Sequence, residues 1–228
     1  QVFDENRYDD YIFHEGLFAT QFPIMSTPVK KRHVYYELPE DIVEVSDNFS
    51  GTVWNTGVMR HGKYYSIDTA PNYDGEPITL GKILQNEEEV PEKFFINDPA
   101  KLEKFQYLRG PKRIERTSAD GHTYIYSEGG MSPTDNLNLP GRTMLTSEGT
   151  VNRSTHFLNV NGKYRLITPV EAERLQDFPD NWTALKRLSD GTVTEVSDKM
   201  RMFFMGNALV TEIVRKIGEF IVEIDIAE

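Results

Sequence analysis

The 228-residue sequence contains no cysteine, which excludes disulfide bonds and thiolate metal sites within the chain. It has no run of about 18 apolar residues, the length that a membrane-spanning helix requires. Its five histidines are scattered without the spacing of metal ligands, so we predict no metal site. The first ten residues have neither the basic start nor the apolar core of a signal peptide. We therefore expect a cytoplasmic globular protein.

Positive charge is also scarce, since 25 Lys and Arg residues stand against 36 Asp and Glu residues and give a net charge of −11 at pH 7. Proteins bind nucleic acid mainly by placing Lys and Arg on phosphates, so this balance argues against simple affinity for DNA. A basic stretch nevertheless extends from Lys101 to Arg116, with only Glu103 and Glu115 inside it. Such a stretch can attract DNA locally, although a solvated surface is the ordinary interpretation.

Residues 164–179 carry the clearest local signal for structure. Thr168 can accept a hydrogen bond from the backbone N–H of Glu171, Pro169 supplies a fixed φ at the first helical position, and Glu171 can reach back to the cap. These features predict a helix with a complete capping box. Glu171 and Arg174 lie three positions apart, so we expect them to form a partly buried structural pair. The apolar face of this helix is predicted to hold Ala172, Leu175 and Phe178.

A second helix is predicted from Met205 to Ile221, because apolar residues recur there at helical spacing. The stripe consists of Val210, Ile213, Val214, Ile217, Phe220, Ile221 and Ile224. Gly206 allows a close approach of the backbone to another group, and the free N–H groups of the first helical turn could receive an anion. The apolar stripe requires a partner surface, which a second copy of the chain could supply.

The remaining sequence predicts short, mixed elements. Alternating runs around the turn at Arg60–Gly62 predict a β-hairpin, and Ser189–Gly191 marks another hairpin turn. Short helices are predicted at Ile78–Asn86 and Pro99–Gly110, and a strand at His122–Gly130. Residues 131–157 are rich in Ser, Thr, Asn, Gly and Pro, a composition that gives polar loops and hairpins suited to contacts with bases and phosphates. The predicted fold class is α+β.

Two ordered blocks resemble the last two sequence blocks of the DNA cytosine-5 methyltransferases. The first block consists of Arg165, Ile167, Thr168, Pro169, Glu171, Ala172, Arg174, Leu175, Gln176, Phe178 and Pro179. The second consists of Gly206, Asn207, Ala208 and Val210. One departure is Asp177, where the family usually has Gly before Phe-Pro.

The resemblance implies the C-terminal portion of such an enzyme, with a strand- and loop-rich target recognition domain, short helices and a C-terminal amphipathic helix. It divides the chain into a leading segment with a hairpin (1–84), the recognition domain with the capped helix (85–180), and a connection with the helix that returns to the catalytic domain (181–228). It assigns S-adenosyl-L-methionine contacts to Gly206, Asn207 and Ala208. It assigns double-stranded DNA contacts to Arg142, Thr143, Met144, Arg153 and Ser154, with His156 near phosphate. Thr168, Glu171 and Arg174 are implied to be structural.

The absence of cysteine then has a chemical consequence. The family attacks C6 of cytosine with a cysteine thiolate, because C5 is not nucleophilic enough to take a methyl group until C6 carries a covalent adduct. The family's Pro-Cys and Phe-x-Gly-x-Gly segments are also absent from this sequence. We therefore expect a fragment or subunit that is inactive alone and works with an N-terminal catalytic portion, in a bacterial restriction-modification system. Two alternatives remain: a stand-alone module that binds DNA or protein, and an unrelated acidic hydrolase in which both blocks are coincidental.

Overall fold

The computed structural model describes residues 7–25, 33–38, 40–48 and 53–227. Its helices are α1 Tyr8–Phe13, α2 Gly16–Gln21, α3 Ile42–Asn48, α4 Leu80–Ile83, α5 Pro99–Arg109, α6 Pro169–Leu175, α7 Asp198–Asn207 and α8 Thr211–Ala227. Its strands are β1 His33–Glu37, β2 Thr56–Arg60, β3 Lys63–Ile67, β4 Lys112–Thr117, β5 Thr123–Glu128, β6 Phe157–Val160, β7 Lys163–Leu166, β8 Leu185–Arg187 and β9 Val193–Glu195. This mixture of helices and short strands confirms the α+β prediction.

The chain forms two compact units, one of residues 1–75 with 215–228 and one of residues 76–214. We call them unit 1 and unit 2. Unit 1 contains an antiparallel sheet with the strand order β1-β3-β2. The turn between β2 and β3 places His61 at φ 50° and Gly62 at φ 75°. Two successive left-handed residues match the tight turn that suits the twist of a hairpin, which confirms the hairpin predicted there.

Unit 2 is built around an apolar core that joins α4, α6, α7 and the β6–β7 hairpin. The buried residues of this core are Leu80, Ile83, Val90, Phe94, Met144, Leu158, Ile167, Ala172, Met202 and Met205. Leu175 and Phe178 pack against it, so the predicted apolar face of α6 is confirmed. A smaller cluster stacks Phe105 of α5 on Phe157 of β6, with ring centroids 4.4 Å apart. Three two-stranded antiparallel hairpins, β4–β5, β6–β7 and β8–β9, complete the unit.

The capped helix forms as predicted, but its ion pair does not. The Thr168 hydroxyl accepts a hydrogen bond from the Glu171 backbone N–H at 3.2 Å, and the Glu171 carboxylate accepts one from the Thr168 N–H at 2.9 Å. Glu171 is paired with Arg165 through two hydrogen bonds of 2.7 Å, whereas Arg174 pairs with Asp180. The predicted Glu171–Arg174 pair is therefore wrong, because Arg165 in β7 lies beside the carboxylate within the buried interior.

The C-terminal prediction also needs a correction. The sequence predicted one helix starting at Met205, whereas the structure has α7 ending at Asn207 and α8 beginning at Thr211. Helix α7 was not predicted, although Ser197 caps it by accepting a hydrogen bond from the Met200 N–H.

Strand β4 and the β6–β7 hairpin were also not predicted as such, and residues 140–156 form turns instead of a polar hairpin. The hairpin predicted at Ser189–Gly191 is confirmed by β8 and β9.

Glu173 links α6 to α7 and to the following turn. Its carboxylate accepts hydrogen bonds from the backbone N–H groups of Asn181 and Thr183, at 2.7 and 2.8 Å, and from Arg201 at 2.9 Å.

The described residues contain no helix with the length and apolarity needed to cross a membrane.

Candidate nucleic-acid interface

The polar segment between β5 and β6, residues 129–156, is held in place by a buried carboxylate. Asp135 accepts hydrogen bonds from Arg109 at 2.6 Å, from Arg142 at 2.5 Å and from the Phe157 backbone N–H at 2.8 Å. Burial alone raises the pKa of Asp135, but the bonds from Arg142, Phe157 and Arg109 outweigh it and hold the pKa below its ordinary value. Arg109 also donates to the carbonyls of Ser132 at 3.1 Å and Thr155 at 2.7 Å, so both ends of the segment are tied to α5.

Arg142, Thr143 and Met144 have different surroundings. Arg142 donates to Asp135 and to the carbonyls of Ser154 and Thr155, and one third of its side chain is exposed. Thr143 is exposed to solvent. Met144 is buried in the core of unit 2, so its side chain presents almost no surface to a ligand. DNA contacts by these three residues stay predictions, and Thr143 has the most accessible side chain.

A compact turn presents Arg153 and Ser154. The Asn152 side chain accepts hydrogen bonds from the backbone N–H groups of Ser154 and Thr155 at 2.8 and 3.0 Å. Arg153 is paired with Glu128 at 2.9 Å and donates to the Gly129 carbonyl. The predicted phosphate contacts of Arg153 and Ser154 are untested, but the arginine already has a carboxylate partner.

The His156 side chain is fully buried, and its Nδ1 atom lies 3.1 Å from the Glu148 carboxylate. The same carboxylate accepts a hydrogen bond from the His156 backbone N–H at 2.7 Å. A phosphate cannot reach a ring that has no exposed surface, so the prediction that His156 lies near phosphate is wrong. No cluster of three His, Asp or Glu side chains suited to a metal ion occurs among residues 7–25, 33–38, 40–48 and 53–227.

The hairpin β4–β5 stands at the other end of the polar segment, and we call it the ribbon. Its strands pair over six positions, from Lys112 opposite Glu128 to Thr117 opposite Thr123. At its base, Lys112 donates to Glu128 at 2.9 Å and to the Leu108 carbonyl at 2.7 Å. The hydrogen bond from Lys112, with the positive charge of Arg153, keeps the pKa of Glu128 below its ordinary value.

The predicted basic stretch is divided by this arrangement. Arg109 lies in the interior, where 1% of its side chain is exposed, and Lys112 is held by Glu128. Arg113 and Arg116 are exposed on β4. The stretch is therefore not one solvated basic surface, because α5 turns one of its cations into the core.

The Gly-Asn-Ala block ends α7. A Cβ atom on Gly206 would lie 2.4 Å from the backbone of Leu145 and Thr146, so the close approach predicted for this glycine is made to the chain's own polar segment. The Asn207 side chain is exposed and donates to the Phe203 carbonyl at 2.9 Å. Ala208 is half-buried against the core. These residues do not form the first turn of α8, so the anion site expected at their N–H groups is not built that way.

The three residues predicted to be structural all lie in packed surroundings. Thr168 and Glu171 form the cap of α6 and are buried, and Arg174 donates to the carbonyls of Ile83 and Leu84 as well as to Asp180.

Asp177, the departure noted in the first block, has φ 60°, in the left-handed region that glycine adopts most readily. Aspartate is one of the few other residues that tolerate this conformation.

The sequence patterns did not reveal Asp135, Arg109 or Glu128 as organising residues. One usable signal existed for Arg109, which follows Phe105 by four positions and therefore shares its helix face. Asp135 offered no comparable signal, because its three partners are distant in the sequence.

Comparison of the sequence with known proteins identifies an enzyme family. The model of the C-5 cytosine-specific DNA methylases matches residues 23–223, and the chain belongs to that family. It is 49% identical over 225 residues to the type II methyltransferase M.Sau3AI of Staphylococcus aureus. The alignment covers 99% of this chain and 51% of that protein, so the chain spans about half the length of its curated relative.

Proposed function

We propose that this chain is the C-terminal, target-recognising part of a DNA (cytosine-5-)-methyltransferase from a restriction-modification system. The observation that carries the proposal is the match of residues 23–223 to the family in a chain without cysteine. The relative M.Sau3AI is named as a type II methyltransferase and is about twice as long as the aligned region, which supports both the system and the partial extent.

In this proposal the chemistry is divided between two portions of the enzyme. The cysteine that attacks C6 of a flipped-out cytosine comes from an N-terminal catalytic portion. S-adenosyl-L-methionine, when bound, supplies the methyl group for C5. The present chain holds the DNA through unit 2 and completes one edge of the cofactor site.

The surroundings of Gly206, Asn207 and Ala208 support different roles for the three residues at the cofactor site. Asn207 is exposed and polar, and Leu209 beside it is also exposed, so this segment fits the edge of a site that another portion closes. Gly206 does not fit as a contact residue, because the space above its Cα is filled by the backbone of Leu145 and Thr146. We therefore propose Asn207 as the contact, with Ala208 packed behind it and Gly206 as the residue that seats the segment.

The apolar stripe of α8 is proposed to pack on the catalytic portion. Ile213, Val214 and Ile221 are 44 to 58% exposed, and apolar side chains exposed in a row are typical of a surface that a partner covers. A homodimer through the same stripe is the alternative. Sedimentation of the chain alone and with the catalytic portion distinguishes them, since a homodimer persists without the second protein.

The function is tested by methyl transfer from labelled S-adenosyl-L-methionine to mixed-sequence duplex DNA. The chain is assayed alone and together with the part of M.Sau3AI that lies outside the aligned region. We expect transfer only in the mixture. Transfer by the chain alone would refute the proposal, because a chain without cysteine cannot form the C6 adduct, and DNA binding without transfer in any mixture would favour a stand-alone binding module.

A further inference from the structure

The ribbon has no face turned to the core. None of its strand residues is buried, and only Lys112, Tyr126 and Glu128 are partly buried. Ile125 is 53% exposed on one face and Tyr124 is 42% exposed on the other. An isolated two-stranded hairpin is only marginally stable in water, so side chains of this kind on both faces indicate a surface that binds something.

One face of the ribbon combines a cation with aromatic rings. The register places Arg116 opposite Tyr124 and Ile114 opposite Tyr126, so these four side chains lie on the same face. The guanidinium carbon of Arg116 lies 4.0 Å from the centroid of the Tyr126 ring. Stacking on a ring orders the long arginine side chain without neutralising its charge, so the charge stays available to a ligand.

The arginines of the ribbon differ from most others in unit 2. Arginines with a carboxylate partner within ion-pair distance are Arg109, Arg142, Arg153, Arg165, Arg174 and Arg201. Among the residues that the structure describes, Arg113 and Arg116 have no such partner, and neither does Arg187 of the β8–β9 hairpin. The two cations without an ion pair on the ribbon are therefore complementary to an anionic ligand.

The ribbon is also fixed at its base. The Glu128 carboxylate forms ion pairs with the side-chain nitrogens of Lys112 and Arg153, each at 2.9 Å. Arg153 also donates a hydrogen bond to the carbonyl of Gly129. These contacts join the ribbon to the polar segment 129–156 and set its direction relative to that segment. Because the Arg153 guanidinium is already bound to the Glu128 carboxylate and the Gly129 carbonyl, it holds the base of the ribbon in place and is not proposed as a phosphate contact.

We propose that the ribbon is an arm that contacts duplex DNA, with Arg116 and Arg113 on phosphates and the face of Tyr124 and Tyr126 along the groove. A two-stranded ribbon is narrow enough to enter the major groove, which is about 12 Å wide. Six paired residues span about 20 Å, enough to follow the groove across several base pairs. This inference rests on the proposed function and assigns its DNA contacts to two arginines of the basic stretch, which lie outside the residues that the family resemblance selected.

The test measures binding of the whole chain to a fluorescently labelled mixed-sequence duplex over a series of salt concentrations. Arg116→Gln and Arg113→Gln should each weaken binding about 5- to 10-fold at 0.1 M salt and reduce the slope of log K against log salt by about 1. Arg187→Gln is the matched control, since it removes the same charge from another exposed hairpin of unit 2. It should change the affinity less than about twofold. Circular dichroism spectra of all three variants should equal that of the parent chain.

Each other outcome has a definite meaning. Equal affinities and slopes for the parent chain and both ribbon variants would overturn the DNA arm while leaving the methyltransferase proposal intact. If the two ribbon variants bind DNA normally but lose methyl transfer in the mixture at saturating DNA, the DNA arm is overturned. The ribbon would then be a docking surface for the catalytic portion. Absence of DNA binding by the parent chain would overturn the arm, and methyl transfer in the mixture would then decide the proposed function separately.

Discussion

Three buried carboxylates, those of Asp135, Glu171 and Glu173, fix the loops of unit 2, and each accepts hydrogen bonds from several donors at once. The Asp135 carboxylate accepts hydrogen bonds from two arginines and a backbone N–H. The Glu171 carboxylate accepts hydrogen bonds from the Arg165 side chain and from the backbone N–H groups of Thr168 and Gln85. Burying a charge is costly unless it is paired and hydrogen-bonded. Because the donors come from distant parts of the chain, the pairing specifies one arrangement of the loops.

Glu171→Gln should destabilise the protein strongly. The substitution leaves the buried Arg165 guanidinium without its carboxylate, and removal of one partner of a buried pair typically costs about 3 to 5 kcal/mol. Urea unfolding followed by circular dichroism measures the change. Asp180→Asn is the control, because the Arg174–Asp180 pair is 30 and 45% exposed and such pairs contribute less than about 1 kcal/mol. Equal effects of the two substitutions would contradict the role of burial.

Asp135 should make stability depend on acid pH. Its pKa is lowered in the folded state, so its contribution is complete well above the ordinary value of 3.8 and is lost as the pH falls through the lower folded value. At pH 7 we expect Asp135→Asn to lower the free energy of unfolding by about 3 kcal/mol. The difference between variant and parent should shrink as the pH is lowered below 3.8. A difference that stays constant from pH 7 to pH 3 would show that the carboxylate charge does not act as described.

The limits of sequence reasoning at this scale are visible in individual arginines. The capping box of Thr168 and Glu171 was predicted because its donors and acceptors lie within one turn of helix. The partner of Glu171 was predicted incorrectly, because Arg174 is close in sequence whereas Arg165 reaches the carboxylate from β7. Arg142 and Arg153 carry the charge expected of phosphate contacts, but the pattern could not show that Asp135 and Glu128 already neutralise them.

At the level of elements, predictions succeeded where the signal is local. The left-handed turn at His61 and Gly62, the caps of α6 and the proline start of α5 are each encoded within a few residues. The division between α7 and α8 was missed, since the segment from Ala208 to Val210 contains no proline or glycine. It is instead defined by tertiary contacts, including the hydrogen bond of 2.8 Å from Gln176 to the Met205 carbonyl.

Substitutions of two helical glycines should have opposite effects. Gly206→Ala places a methyl group 2.4 Å from the backbone of Leu145 and Thr146, so either α7 or the polar segment must move. We expect this to lower the free energy of unfolding by about 1 to 3 kcal/mol. Gly218→Ala in α8 meets no atom within 4 Å and should stabilise the helix by about 0.5 to 1 kcal/mol. Thermal unfolding of both variants measures the changes. A neutral Gly206→Ala would mean that the close approach is not required.

Across the whole molecule, most of the excess of negative over positive charge lies outside the unit that carries the ribbon. Residues 76–214 contain 17 of the 25 basic residues and 20 of the 36 acidic residues, so unit 2 has a net charge of only −3. The overall charge of −11 therefore does not describe the surface proposed to meet DNA. Composition alone could not show this, because the boundary at Gly75 follows from the tertiary contacts of the folded chain.

The boundary between the units should be the first site of proteolysis. Residues 72–78 are all exposed and lie in neither a helix nor a strand, and Tyr73 among them is 67% exposed. Chymotrypsin cleaves after exposed aromatic residues in accessible backbone, so brief digestion should release a fragment that begins at Asp74, identified by mass spectrometry. Tyr73→Ala should delay this cut, whereas Tyr107→Ala should not, because Tyr107 is 64% exposed but lies within α5, where hydrogen bonds protect the backbone. Early cleavage after Tyr107 would contradict the compactness of unit 2, since α5 carries Phe105 and Arg109 into its interior.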